Sequence, residues 1–251
     1  MAGHSHWAGI KHKKAIVDAK RGKLWSKLSK AIIIAAKLGG GDPENNIRLR
    51  AAIDEAKAVS LPKDNIQRAI RRGTGADSEG ADFDDVVYEG YGAGGVAILA
   101  EGVTDNRNRT APEIKKIFEA AGGKLGTSGC VSWNFEKKGV FIVPQSAVAE
   151  EALMELALEA GADDVDAVDE SFEITCVPEA YDSLAKALET AKIETESSSL
   201  GLVPKDTADV SDVETARKVI KLMEMLDDHE DIQRVSSNFS IPDAIMEQLD
   251  S

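Results

Sequence analysis

Cysteine is nearly absent. Cys130 and Cys176 are the only two in 251 residues, 46 positions apart and without a CxxC pair, so nothing suggests a disulfide framework or a zinc site. An isolated pair of this kind serves as packing material. Histidine is almost as scarce. His4, His6 and His12 stand among lysines that would repel a cation, with no cysteine or carboxylate at ligand spacing. The remaining one, His229, lies in "DDHED" at an expected helix end. The acidic cluster Asp163, Asp164, Asp166 and Asp169 lacks the order and the glycine of a calcium loop and reads as a solvated edge. No GxSxG, HExxH or Walker motif occurs. The longest apolar run, "AIIIAAKLGGG" (31–41), contains Lys37 and ends in glycines, short of membrane-spanning length. No uninterrupted apolar stretch follows the first charges, as a signal peptide would require, and no arginine precedes Arg21, as a mitochondrial presequence would. These absences predict a non-enzymatic protein with no metal, no cofactor and no membrane partner, working in the cytoplasm.

Positive charge is abundant, but only at one end. The formal net charge is −14, yet residues 1–74 hold 16 Lys+Arg against 6 Asp+Glu, and residues 75–251 hold 14 against 38. The chain is thus +10 in front and −24 behind. In "GHSHWAGIKHKKAIVDAKRGKLWSK" (3–27), Asp18 is the single acid. Such asymmetry, combined with aromatics and apolar periodicity, points to a nucleic-acid contact. Lys11, Lys13, Lys14, Lys20, Arg21 and Lys23 can neutralise phosphates and release condensed counterions. Trp7 can stack on a base, while Trp25 is expected in or beside a helical core. The acidic remainder would oppose unspecific sticking to nucleic acid, leaving the basic face to dock.

Apolar content of 43% and charged content of 29% fit a soluble globular chain. The first 74 residues read as helices. Leu24, Leu28, Ala31, Ile32 and Ala35 recur at helical spacing, and Gly39-Gly40-Gly41 ends that helix. Asp42-Pro43 suits a helix start or a turn before one. Leu49, Ala52, Ile53 and Ala56 mark a second helix. Pro62 opens a third, with Ile66, Ala69 and Ile70 inward and Lys63, Arg68, Arg71 and Arg72 outward. A glycine-rich linker, "GTGADSEGAD" (73–82), follows. "DVVYEGYG" and "VAILAEGVT" then predict paired strands, "TAPEIKKIFEAAGG" a helix opened by a capping box from Thr110 to Glu113, and "CVSWNFE" a further strand. From residue 139 the order is strand, helix, strand, strand, helix, strand, the ferredoxin-like βαββαβ unit. A last helix and strand (211–240) are too few for a domain and would complete the earlier piece. The expected fold class is therefore α+β. A basic helical domain (1–78) precedes two α/β domains, one discontinuous (79–136 plus 206–243), the other a ferredoxin-like unit (137–205) inserted in it.

Two short motifs invite a functional reading. "GYGAGG" (90–95) has the glycines of a phosphate loop, but a strand follows instead of a helix, so a hairpin turn is expected. In "TDNRNRT" (104–110), Arg107 and Arg109 stand just before an expected helix N-terminus, where anions are favoured; the same residues also suit a polar loop capped by Thr110. No helix-turn-helix with an evident recognition helix is legible.

The segments "MAGHSHWAGIKHKKAIVDAKRGKLWSKL", "AAKLGGGDPENN", "LPKDNIQRAIRRGTG", "YEGYGAGG" and "TDNRNRT" closely resemble the YebC/PmpR family, in its order and spacing, from Met1 to about Asn238. The resemblance implies three domains: one helical and two α/β, one inserted in the other. It implies a DNA-binding transcriptional regulator or, as for other members, a translation factor that binds ribosomal RNA or tRNA on the ribosome and helps it through proline-rich stretches. By position it implies a nucleic-acid face of His4, Trp7, Lys11, His12, Lys14, Arg21, Lys23, Asn65, Arg68, Arg107 and Arg109. Lys13, Lys20, Lys63, Arg71 and Arg72 extend that face by charge. His6 departs from the basic residue of many members, and "CVSW" (130–133) from a Ser-Val-Ser-Tyr type of segment.

Overall fold

The computed structural model describes residues 18–76, 83–168 and 170–249. Among the described residues three helices come first: α1 (Asp18–Gly39), α2 (Ile47–Ala58) and α3 (Lys63–Gly73). In α1 the consecutive residues Ile32, Ile33, Ile34, Ala35 and Ala36 are all buried. A helix that is apolar all round must be covered all round. Here α2 and α3 pack on one side and the strand residue Val103, with Phe83, on the other, in one continuous core. Trp25 lies against this core and donates its Nε1 proton to the Val59 carbonyl at 3.2 Å.

Asn46 fastens the first corner. Its Oδ1 accepts from the Leu49 amide at 3.0 Å, capping α2, while its Nδ2 donates to the Ala35 carbonyl of α1 and to the Gly40 carbonyl just beyond it. Gly39 is required beneath it, because a Cβ there would stand 2.6 Å from Asn46 Nδ2.

Beyond the helices lie two antiparallel four-stranded sheets. The first, in the order β3-β1-β2-β9, uses β1 (Asp84–Tyr91), β2 (Ala97–Thr104), β3 (Lys124–Leu125) and β9 (Ile232–Ser237). Its core holds Ile98 and Ala100 from β2, Ile114 and Phe118 from α4 (Arg107–Ala120), and Val219, Leu222 and Met223 from α7 (Val213–Asp227). Two shorter strands, β8 (Ala208–Asp209) and β10 (Phe239–Ser240), pair in parallel, and α8 (Asp243–Leu249) closes the same core. The late strand β9 thus completes the sheet begun by β1, Ile98 lying opposite Ser237, and α7 covers its core.

The second sheet, in the order β5-β6-β4-β7, uses β4 (Phe135–Pro144), β5 (Ala162–Val168), β6 (Ser171–Cys176) and β7 (Ser197–Pro204). Helices α5 (Glu150–Glu159) and α6 (Tyr181–Thr190) supply Leu153, Ala157, Leu184 and Leu188 to its core, where Phe141 stacks on Tyr181. Cys176 is buried there as a free thiol, its pKa pushed by burial up to about 11. Ala97, Leu99, Val131 and Phe135 form a small core where the two sheets meet.

Two local expectations are corrected. "CVSWNFE" is not one strand: Ser132–Asn134 is a 3-10 turn, and β4 begins at Phe135. The amides of Gly129, Val131 and Ser132 all donate to the buried Glu89 carboxylate and are lost to any ladder. Thr110 does not open its helix either. The cap is Asn106, whose Oδ1 accepts from the Arg109 amide at 3.1 Å, and Thr110 is buried one turn in. "GYGAGG" is a hairpin turn, as its following strand predicts, with Gly94 and Gly95 at φ 69° and 76°.

Replacing Asn46 by Ala is expected to cost roughly 2–3 kcal/mol, since one cap is lost and two carbonyls each lose a hydrogen bond in a buried corner. Urea unfolding followed by circular dichroism checks this.

Candidate nucleic-acid interface

Of the residues proposed to contact nucleic acid, His4, Trp7, Lys11, His12, Lys13 and Lys14 lie outside the described residues. Lys20 and Arg21 fall in the first turn of α1, and Lys23, one residue beyond Gly22, is exposed. On α3, Lys63, Arg68 and Arg71 are exposed, and Asn65 and Arg72 half-buried. Ile66 and Ala69 anchor the opposite side of α3 against α1. Gly73 permits that approach, because a Cβ there would stand 2.3 Å from the Ile33 carbonyl oxygen. The basic side of α3 therefore points away from the core.

Arg107 and Arg109 sit inside the first turn of α4, not in a loop ahead of it. Both face carboxylates of their own chain. Arg107 Nε donates to Asp84 Oδ2 at 3.1 Å and its Nη2 to the Asp85 carbonyl at 3.3 Å. Arg109 Nη2 donates to Asp105 at 3.0 Å and to Asp231 at 2.8 Å.

Asp231 is the centre of this arrangement. Only 1% exposed, it accepts from Arg109, from Lys30 of α1 at 2.9 Å, from the Thr110 hydroxyl at 2.7 Å and from the Thr104 hydroxyl at 3.2 Å. Burial alone would raise its pKa. The hydrogen bonds from Arg109, Lys30 and Thr110 outweigh burial and hold the carboxyl well below the usual carboxylate range. Its own amide donates to His229 Nδ1, and His229 Nε2 lies 3.1 Å from Glu113 Oε2.

Further ion pairs line the same seam. Arg48 of α2 grips Asp85 with both guanidinium nitrogens at 2.8 and 2.9 Å, and its pKa is raised by that contact. Arg234 of β9 meets Glu55 at 3.1 Å, and Arg50 meets Asp182 of α6 at 3.3 Å. Lys27 donates to the Asp227 carbonyl oxygen. The structure thus brings Arg107 and Arg109 beside the helical region, through carboxylates with which any anion would have to compete. The partners Lys30, Arg48, Asp84, Asp85 and Asp231 were not singled out from sequence. Lys30 and Asp231 are 201 positions apart, and nothing in "DDHED" distinguishes the one aspartate that folding buries.

Comparison with known proteins matches residues 5–76 to the model described as the TACO1/YebC protein N-terminal domain and residues 83–239 to that of the TACO1/YebC second and third domain. The chain belongs to the TACO1/YebC family. A relative from Rhodopirellula baltica named "probable transcriptional regulatory protein" is 56% identical over 244 residues, covering 96% of this chain and 98% of that one. One of the same name from Elusimicrobium minutum is 49% identical over 249 residues, covering 99% of both. The crystal structure of a conserved hypothetical protein from Aquifex aeolicus superposes with a TM-score of 0.85 at 49% identity, covering 94% of this chain and 97% of that one. The TACO1/YebC matches break between residues 76 and 83, at the glycine-rich segment expected to be a linker. No helix among the described residues is long and apolar enough to cross a membrane.

Asp231→Asn leaves Lys30 and Arg109 facing a neutral amide in a buried site, and is expected to cost about 3 kcal/mol. The folded pKa is depressed, so the carboxylate contributes fully above the unfolded value of about 3.9 and loses its contribution as pH falls below that. Thermal melts from pH 7 down to about pH 3 should therefore show a shallower acid destabilisation in Asp231→Asn than in wild type.

Proposed function

We propose that this protein is a non-enzymatic, cytoplasmic regulator of gene expression that binds nucleic acid through its basic N-terminal helical region, as a DNA-binding transcriptional regulator. The observation that carries this reading is the division of labour among the basic residues. Lys30, Arg48 and Arg50 turn toward the acidic body and are paired there, whereas α3 presents Lys63 and Arg68 outward. The names of the relatives support regulation of transcription. Lys20, Arg21 and Lys23 at the start of α1 would extend the face toward the leader, with its Lys11, Lys13, Lys14, His4, His12 and Trp7. The antiparallel order β5-β6-β4-β7 supports reading 137–205 as a ferredoxin-like insert, with 1–78 as the helical domain and 79–136 plus 206–243 as the discontinuous host.

A second reading is a translation factor contacting ribosomal RNA or tRNA. The exposure of Arg107 and Arg109 favours it: both lie at the seam beside α1 and stay open to water, so that a backbone phosphate would replace an exposed acid such as Asp84 or Asp105.

The test is a triple variant, Lys11→Glu/Lys14→Glu/Arg21→Glu, beside Lys63→Glu/Arg68→Glu, with duplex DNA and ribosomes as separate ligands. Each variant is expected to bind at least about tenfold more weakly and to flatten the salt dependence by roughly 0.7 to 0.9 in log–log slope per lost phosphate contact. Wild-type affinity and slope in both variants would remove the helical region from the interface. Arg107→Gln/Arg109→Gln, compared at equal folded fraction, separates a phosphate contact from a purely structural pair.

A further inference from the structure

The largest exposed aromatic surface among the described residues is not on the basic helices but at the junction of β1 and the segment ahead of β4. Trp133 is 65% exposed and Tyr91 40%. Both give their polar hydrogen to one acceptor: the Tyr91 hydroxyl donates to the Cys130 carbonyl at 2.8 Å, and Trp133 Nε1 donates to the same oxygen at 3.0 Å. With those polar atoms tied to the protein, the Trp133 ring remains largely open to solvent and the Tyr91 ring partly so.

The loop that carries Trp133 is held firmly. Glu89 lies beneath it, 6% exposed, with its carboxylate spent on the amides of Gly129, Val131 and Ser132. Burial alone would raise the Glu89 pKa, and these amides outweigh it and lower it. The Gly126 amide donates to the Glu89 carbonyl at 2.7 Å. Gly129 holds φ at 86°, and a Cβ on Gly126 would stand 2.4 Å from Cys130 Sγ. A loop ordered in advance does not lose that freedom on binding.

Positive charge flanks the pair. Lys124 lies directly opposite Tyr91 in the β1–β3 ladder, so the two side chains share a face, and Lys124 is exposed. On the other side the Lys205 amide donates to the carbonyl of Asn134, next to Trp133, and Lys205 is exposed. The exposed acids nearby are Glu136 and Asp206. Protein interfaces use tryptophan and tyrosine but are depleted in lysine. Aromatics beside lysines are the pattern of single-strand binding, where bases stack and backbone phosphates find cations. Duplex DNA keeps its base faces hidden, whereas RNA loops and ends display them.

We propose that Tyr91 and Trp133, flanked by Lys124 and Lys205, form a stacking platform for the unpaired bases of an RNA strand, a second contact separate from the basic helical face. It rests on the reading of the chain as a nucleic-acid-binding protein. The probes are a fluorescein-labelled single-stranded RNA of about twelve nucleotides and a duplex DNA of the same length, bound by the full chain and followed by anisotropy. Trp133→Ala is expected to weaken RNA binding about tenfold or more, Trp133→Phe to recover most of it, and neither to change duplex binding. In a Trp7→Phe/Trp25→Phe background, the remaining Trp133 emission should be quenched by the RNA, which a merely structural residue would not show. If wild type binds neither probe, the nucleic-acid reading itself falls. If wild type binds RNA while Trp133→Ala binds equally well and Trp133 emission is unmoved, the platform is overturned and the exposed pair is left to a protein partner.

Discussion

The arrangement of this molecule depends on one carboxylate. Asp231 stands just ahead of β9, out of water, and receives Lys30 from the helical region and Arg109 and Thr110 from the start of α4. Each group alone would be costly to bury. Together they satisfy one another, and the position of the first helix on the sheet follows from where their bonds can all be made. The apolar run Ile32–Ala36 supplies the driving force for docking, but it is nondirectional; the charged cluster supplies the register.

The same logic explains how so uneven a charge distribution folds. The acidic body provides counter-charges for the inward basic residues: Asp85 for Arg48, Asp182 for Arg50, and Asp231 for Lys30. What remains positive on the helical region is what faces away. Exposed pairs such as Arg48–Asp85 contribute little stability singly, on the order of 0–1 kcal/mol. Their effect is to decide which cations stay available to a polyanion.

Much of this was legible in the sequence, and the exceptions have a common cause. The periodicity of Leu49, Ala52, Ile53 and Ala56 is a local signal and gave α2 directly; alternating strands and helices gave the order of β4 to β7. The misreadings at Thr110 and at "CVSWNFE" arose where a side chain distant in sequence takes over. Thr110 had every local mark of a cap, but Asp231 claims its hydroxyl. Residues 130–134 had the composition of a strand, but Glu89, some forty positions earlier, claims its amides. Site residues followed the same rule. Charge density picked out α3 and the leader, whereas the partners of Arg107 and Arg109 are set by tertiary pairing that no spacing encodes.

The pairing of β2 with β9 sets an order of events during synthesis. Residues 98 and 237 must meet across an interval that includes an entire second sheet, whose first and last strands in the chain, β4 and β7, begin and end side by side, Phe135 opposite Pro204. Once that sheet has formed, Phe135 and Pro204 are side by side, which shortens the interval to about half and lowers the entropic cost of joining the two strands by roughly 0.6 kcal/mol. Asp231 nevertheless follows β1 to β8 in the chain. Until it is made, Lys30 and Arg109 lack their shared acceptor, and the helices can rest on the acidic body only through apolar contacts such as Val103 and the outer pairs Arg48–Asp85 and Arg50–Asp182. The buried cluster is therefore the last contact to close on a helix already in place, fixing a position that nondirectional contacts leave loose.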